Sequence, residues 1–370
     1  MKTFDVAIIG AGIVGAACAA ALAREGLVVA IIEANSVAGG STAAGMGHIV
    51  VMDDSDAQFA LTRYSQTLWN NFAAELPASC EYEFCGTIWV AADDEEMLAV
   101  RRKKDFYESR GVTAEILDAA SLRKAEPNLN HDLVGGLLVP RDSVVYQPQA
   151  AQVLLKKATD RGAELFTGQK VTAIDNDGVT LEDSTKIQAA QTLVAAGSLS
   201  GELATGIKIR KKKGHLIITD RYPRLVRHQL IELGYLKSAH AATRDSVAFN
   251  VQPRITNQIL LGSSRQFDAA DNAVDQSILN QIVTRAFRFM PKLRDVSAIR
   301  VWTGSRPATP DNLPYIGRHP VRENIYIAAG HEGLGITTSL GTAELLTDQI
   351  LGRESAIDRE PYSPSRISEI

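Results

Sequence analysis

Gly10-Ala11-Gly12-Ile13-Val14-Gly15 lies between a short β-branched run, residues 4–9, and an alanine-rich stretch, residues 13–24. Three glycines at this spacing, between an expected strand and an expected helix, form a dinucleotide-binding fingerprint. Gly10 permits the tight turn. Gly12 lets a pyrophosphate approach the backbone where Ile13 and Val14 open the helix, and Gly15 allows close helix–strand contact. Glu33, with Ala34 beside it, ends the next apolar run, where a carboxylate accepts hydrogen bonds from the adenosine ribose.

The fingerprint serves NAD and FAD alike, so the rest of the chain must choose. Residues 39–48 are small and hydroxyl-rich, and Ser41, Thr42, Ala43, Ala44, Gly45 and Met46 suit an extended cofactor running along the backbone. A late strand, residues 192–197, ends in Ala196 and Gly197, where it would pass the first turn. Gly330, Gly333, Leu334, Gly335, Ile336 and Thr337 form a loop entering the last helix, whose backbone N–H groups would face an electron-rich ring edge. These features point to FAD, and Val171 joins the expected cofactor contacts.

His48 follows the flavin-contact segment and is a candidate polar group near the ring; His331 is expected to support its own loop. Neither has a second ligand at metal-binding spacing, so no metal is expected. Cys18, Cys80 and Cys85 are too few and too irregularly spaced for a disulfide framework, which fits a reducing, cytoplasmic setting.

The elements that must position these residues follow from pattern. The chain has 370 residues and 45% hydrophobic content, enough for two domains. Its formal net charge of −4 leaves no electrostatic footprint for nucleic acid. Residues 6–23 are apolar throughout, but the glycines and the second apolar run make them strand, turn and helix rather than a signal peptide or membrane span. Residues 55–75 have helical spacing, with Phe59, Tyr64, Leu68 and Phe72 as core contacts. Residues 93–110 form an expected exposed helix, with the basic run 101–104 solvated, and the basic run 210–213 also reads as solvated. A later amphipathic helix carries Leu279, Ile282, Val283, Ala286 and Met290 on one side.

These motifs resemble the D-amino-acid oxidase superfamily, on the glycine oxidase, sarcosine oxidase and D-amino-acid dehydrogenase side. The resemblance covers nearly the whole chain. It rests on the glycine fingerprint with Glu33, Ala44-Gly45-Met46, residues 194–197, Trp302-Thr303-Gly304-Ser305-Arg306-Pro307, Pro314-Tyr315-Ile316-Gly317 and the 330–337 loop. Residues 43–69 are similar to the flavin subunit of bacterial D-hydroxyproline dehydrogenases, which oxidise cis-4-hydroxy-D-proline.

The resemblance implies an α/β fold: a discontinuous FAD-binding Rossmann-like domain of glutathione-reductase type, and a second, mixed-sheet α+β substrate domain. The expected boundaries are 1–82, 142–212 and 302–370 for the first, and 83–141 with 213–301 for the second. It implies oxidation of an amino- or imino-acid C–N bond by hydride transfer to flavin N5. Arg306 matches the family's carboxylate-binding arginine, whose planar fork suits that group, and it stands with His48 as a catalytic candidate. Asn250, where glycine oxidase-like members carry tyrosine, and Arg265 are substrate candidates. Thr303-Gly304-Ser305 lacks the cysteine through which sarcosine oxidase-like members attach FAD, so FAD is expected to be non-covalent. Residues 261–266 lack the lysine with which the family's oxidases activate O₂, which favours a dehydrogenase. Glycine or sarcosine oxidase activity is the alternative, as is an FAD-carrying subunit with little activity alone. Partner subunits or a homo-oligomer fit either reading.

Overall fold

The structure is a computed structural model that describes residues 3–234, 245–267, 269 and 271–367. The chain divides into two compact units, Met1–Cys80, Val145–Lys211 and Ser305–Ile370 in one, Glu81–Val144 and Lys212–Gly304 in the other.

The first unit is built on β1 (Thr3–Ile9), α1 (Ile13–Arg24) and β2 (Val29–Glu33). Its main sheet runs in the order Tyr315–Arg318, Ile325–Ala329, Lys186–Val194, β1, β2, Glu164–Thr167. All neighbours are parallel except the first pair. Ile8 sits between Leu193 and Ile31 at the centre, and all three are fully buried. Such a run of apolar residues belongs in a parallel sheet covered on both faces. Each of these side chains contributes about 1.5–3 kcal/mol relative to exposure. Alanines favour α1 as a helix and keep it thin, so it packs on both Gln147–Thr159 and the last helix, Gly335–Ile350.

Helix Asp56–Phe72 has the expected span, but its buried face differs from the sequence reading. Phe59 is buried, whereas Tyr64, Leu68 and Phe72 are only half-buried; Leu61, Thr62, Ser65, Gln66 and Trp69 line the contact. The cause is the partner helix, which presents Gly341: a Cβ there would stand 2.2 Å from Ser65 Oγ. So close an approach needs small residues at the crossing and displaces large ones to its flanks.

The second unit holds a mixed sheet in the order Ala298–Ala308, Arg210–Thr219, Ile259–Phe267, Ser246–Pro253, Gln229–Glu232, Thr87–Ala91, Gly135–Val139, Glu115–Asp118. Helix Gln276–Phe289 covers one face, with Ile278, Ile282, Ala286 and Phe289 buried and Phe289 stacked on Phe249 at 4.7 Å. Met290 is buried just beyond the helix, while Leu279 and Val283 are half-buried.

The two charge runs expected to be solvated are so at Arg101, Arg102, Arg210 and Lys211, and each holds one buried exception. Lys103 is buried, its ammonium 4.2 Å from the Trp89 ring and 5.0 Å from the Tyr107 ring, because aromatic faces attract the cation. Lys213 is buried as well, donating to the Ala273 carbonyl at 2.9 Å with Asp271 at 3.4 Å. The three cysteines are free and buried, and burial pushes the Cys18 and Cys85 thiols up to about 12 and Cys80 to about 11. Thiols held so far from ionisation are unreactive near neutral pH. Among the described residues there is no group of side chains fit to hold a metal, and no helix long and apolar enough to cross a membrane.

Candidate active site

In the first unit, the glycine turn between β1 and α1 lies against the end of the central strand. Gly10 has φ +110°, and a Cβ there would stand 2.5 Å from the Ala195 carbonyl oxygen. A Cβ at Gly15 would fall 2.0 Å from the Gly10 oxygen, so the helix meets the turn only because that residue is glycine. Glu33 is tied in from β2. Its carboxylate accepts the Ala11 and Asn35 amides, each at 2.8 Å. Ala34 is exposed beside it.

Gly12 occupies the N-cap of α1 and supplies no side-chain cap. Thr42 stands in for one: its buried hydroxyl accepts the Ile13 amide at 3.0 Å. Thr42 belongs to the short helix Gly40–Ala44, clamped by the Gln147 amide, which donates to the Thr42 carbonyl at 3.0 Å and the Gly45 carbonyl at 2.8 Å. Ser41 donates to the Ser305 carbonyl at 2.5 Å. Gly197, at φ +57°, lies on the other side, its added Cβ 4.0 Å from Ser41 Oγ. Ala43 is exposed, Ala44 half-buried and Met46 buried.

The last helix closes the same region. A Cβ on Gly45 would lie 2.7 Å from Ile336 Cδ1, and one on Gly335 would lie 3.9 Å from Val14 Cγ2. Thr337 donates to the His48 carbonyl at 2.8 Å, which fixes the backbone of half-buried His48. Trp69 donates from Nε1 to the Ile336 and Thr337 carbonyls at 3.2 and 3.1 Å. Gly330 has φ +83°, and His331 beside it is buried against the Thr342 hydroxyl at 3.0 Å. Burial holds that imidazole down to about 3 from its ordinary 6.5, so it is neutral, and its ring pairs with the last helix. Leu334, the N-cap of the last helix, likewise gives no side-chain cap.

Arg306 reaches this turn. A Cβ on Gly333 would stand 3.6 Å from Arg306 Nε and 3.7 Å from its Cδ. The first unit therefore draws together the turn at 10–15, the segment 41–48, Ala196 with Gly197, the loop 330–337 and Arg306. Val171 is placed more remotely, in the apolar cluster against which Ala196 packs. Asn250 and Arg265 are buried in the second unit on neighbouring antiparallel strands, with Asn250 opposite Gly262 and Arg265 opposite Ser246. Sequence reasoning missed Trp69 and Gln147. Both act on backbone far away in the chain, and no local spacing signals them.

The helix termini test whether this region fits a dinucleotide. Asp56–Phe72, Asp94–Glu108, Ala119–Ala125 and Gln276–Phe289 all carry Ser or Asp side-chain caps. α1, Gln147–Thr159 and Gly335–Ile350 lack one, and of these α1 and Gly335–Ile350 begin at glycine turns that converge. Ile13 gives its amide to Thr42 and Leu334 gives its amide to the His331 carbonyl, while the N–H groups that follow, with the helix dipole behind them, suit an anionic pyrophosphate or an electron-rich ring edge. At Gly12 an added Cβ would meet, among the described residues beyond its chain neighbours, Thr42 Oγ1 at 3.1 Å. The residues present fit FAD.

Comparison with known proteins agrees. A glycine oxidase from Geobacillus kaustophilus is 27% identical over 98% of this chain and 97% of its own length. The crystal structure of glycine oxidase from that species superposes with a TM-score of 0.89, covering 100% of both chains at 25% identity. The hydrogen cyanide synthase subunit HcnC of Pseudomonas aeruginosa is 28% identical over 99% of this chain and 96% of its own. L-proline dehydrogenase from P. horikoshii shares the fold, with a TM-score of 0.88 at 22% identity over 99% and 98% of the two chains. The family model described as FAD dependent oxidoreductase matches residues 5–349. The chain belongs to that family, an FAD-dependent enzyme of the D-amino-acid oxidase superfamily.

Proposed function

We propose that this enzyme oxidises the C–N bond of a small D-amino or imino acid, with cyclic secondary amines such as cis-4-hydroxy-D-proline and D-proline favoured. Arg306 holds the carboxylate. The observation that carries the reading is the seat of Arg306 against side-chain-free Gly333, at the turn that opens the uncapped last helix. A guanidinium fixed there offers a planar, two-pronged partner to a carboxylate. Pro307 stiffens the strand just behind it.

Gly10, residues 12–15, Glu33, Ala34, residues 41–46, Val171, Ala196, Gly197, Gly330 and residues 333–337 would hold FAD, without a covalent bond because residues 303–305 include no cysteine. Bound FAD supplies the two-electron acceptor, taking a hydride equivalent at N5. The chain's own task is positional. Arg306 fixes one end of the substrate so that its α-hydrogen faces the acceptor, and alignment of this kind is a large part of such rate enhancements. The Leu334 amide is donated to the His331 carbonyl at 2.9 Å, so the N–H groups of Gly335 and Ile336 would place positive potential at the ring edge where negative charge grows. His48, its backbone fixed by Thr337 of the last helix, is the histidine candidate for that edge.

Glycine oxidation is the second reading, favoured by the full-length similarity to glycine oxidases. The absence of lysine from residues 261–266 favours a dehydrogenase that passes electrons to another acceptor, and similarity to a protein named as a synthase subunit supports a partner-dependent setting. The test is anaerobic mixing of holoenzyme with D-hydroxyproline, D-proline, sarcosine and glycine. Bleaching of the flavin by the cyclic amines first supports the proposal; bleaching by glycine alone replaces it with the second reading.

A further inference from the structure

Residues 118–132, 220–228 and 285–297 are remote from one another in the chain and meet within the second unit. Asn128 Nδ2 donates to the Leu225 carbonyl at 3.0 Å, Asn130 Nδ2 to the Arg288 carbonyl at 3.1 Å, and the Asp220 amide to the Ser297 carbonyl at 2.9 Å. The first segment exposes Arg123 and Lys124. The second exposes Arg221, Arg224 and Arg227, and the third Arg288, Lys292 and Arg294. Against these eight cations stand four exposed carboxylates, Asp118, Asp132, Asp220 and Asp295. The ion pairs here join His228 to Glu126 and Arg285 to Glu232, both carboxylates being buried, and none of the eight cations takes part in one among the described residues. Arg227 instead reaches the Lys124 and Ala125 carbonyls at 3.4 Å, and the Arg294 guanidinium lies 4.6 Å over the Phe287 ring. In a chain of net charge −4, such a local excess of positive charge directs a field outward from one face.

We propose that this face docks the acidic surface of a partner protein. Six of the eight cations are arginines, whose planar forks match carboxylates. Tyr222, Leu225, Phe287 and Val296 lie half-buried among them, and arginine mixed with recessed aromatic and aliphatic surface is the make-up of protein–protein contacts. A bilayer would call for protruding apolar side chains beside the cations, and no large apolar side chain of these three segments is exposed. A long polyanion such as nucleic acid would run past the patch onto a chain whose remainder is acidic. The inference stands on the second unit alone and holds whichever amine is the substrate.

The test titrates holoenzyme into fluorescein-labelled poly-L-glutamate of about 20 residues and follows anisotropy. Wild type should bind, and binding should weaken roughly tenfold between 50 and 250 mM salt, because screening shortens the reach of exposed charge. Two independent variants, Arg221→Gln with Arg288→Gln and Arg224→Asn with Arg294→Gln, should each weaken binding roughly fivefold or more at low salt. Asparagine is chosen at Arg224 because φ there is +58°. Substitutions at exposed sites change stability little, so both variants should fold. Arg101→Gln with Arg102→Gln, exposed cations of helix Asp94–Glu108, is the control and should bind within about twofold of wild type. Patch variants that bind as wild type does, or a control that loses as much as they do, overturn the proposal. Binding to phosphatidylglycerol-containing vesicles or to a DNA duplex but not to polyglutamate overturns it as well. So does self-association that the patch variants abolish, which would make the occupant a second copy of this chain.

Discussion

Thr42 gives a sharp test of how the nucleotide turn is built. α1 has no side-chain cap of its own, and the Thr42 hydroxyl accepts the Ile13 amide at 3.0 Å in a buried setting. Thr42→Val keeps the shape and leaves that N–H without an acceptor. An unmade buried hydrogen bond costs about 1–3 kcal/mol. At 2–4 °C per kcal/mol for domains of about 150–250 residues, the apo-protein melting temperature should drop by roughly 2–12 °C. FAD affinity should fall too, because the same first turn must present its amides to the pyrophosphate. Thr42→Ser retains the oxygen and should recover most of both losses. The assay is thermal unfolding of apo-protein alongside FAD titration by quenching of flavin fluorescence. A valine variant that matches wild type in both, or a serine variant as damaged as valine, would refute the capping role.

Gly12→Val should discriminate between fold and cofactor: Gly12 has φ −71°, open to any residue, and among the described residues beyond its chain neighbours an added Cβ meets Thr42 Oγ1 at 3.1 Å. Holo yield should therefore collapse while apo-protein stays folded, and normal flavin content would place the pyrophosphate elsewhere. Glu33→Ala should lower both flavin content and stability, since it strips the acceptor from the Ala11 and Asn35 amides; circular-dichroism melting separates the two effects. His331, held neutral at about 3 against an ordinary 6.5, makes the unfolded state the better proton binder between those values. Stability should thus decline as pH falls below about 6.5, by up to on the order of 4–5 kcal/mol near pH 3, and His331→Gln should flatten that decline in urea midpoints measured against pH. Reduced enzyme mixed with air-saturated buffer should reoxidise more slowly than it turns over with an artificial acceptor, and reoxidation as fast as turnover would favour the oxidase reading.

The β1–α1–β2 portion was legible because every signal there is local: a β-branched run, a glycine turn, an alanine helix, a glycine stop and a second run. The segments that bracket it, 41–46 and 330–337, were legible by composition, since small residues are needed wherever backbones approach closely. What escaped was set by partners far away in sequence. The 101–104 run reads as solvated until Trp89, on a strand of the second unit, is seen beneath Lys103. The helix 56–72 reads as presenting its large residues until Gly341 is seen at its crossing. Gln147 carries no local mark of its role, because the carbonyls it clamps belong to Thr42 and Gly45.

The central claim is that Arg306 anchors the carboxylate of an amine substrate oxidised by FAD. It is tested most directly by anaerobic stopped-flow reduction of holoenzyme with D-hydroxyproline and D-proline, comparing wild type with Arg306→Ala and Arg306→Lys. Truncating one partner of a buried charge pair costs about 2–5 kcal/mol. The alanine variant should therefore retain its flavin spectrum yet lose roughly 10² or more in reduction efficiency, and lysine should restore only part. Reduction of Arg306→Ala at the wild-type rate and substrate concentration would contradict the account.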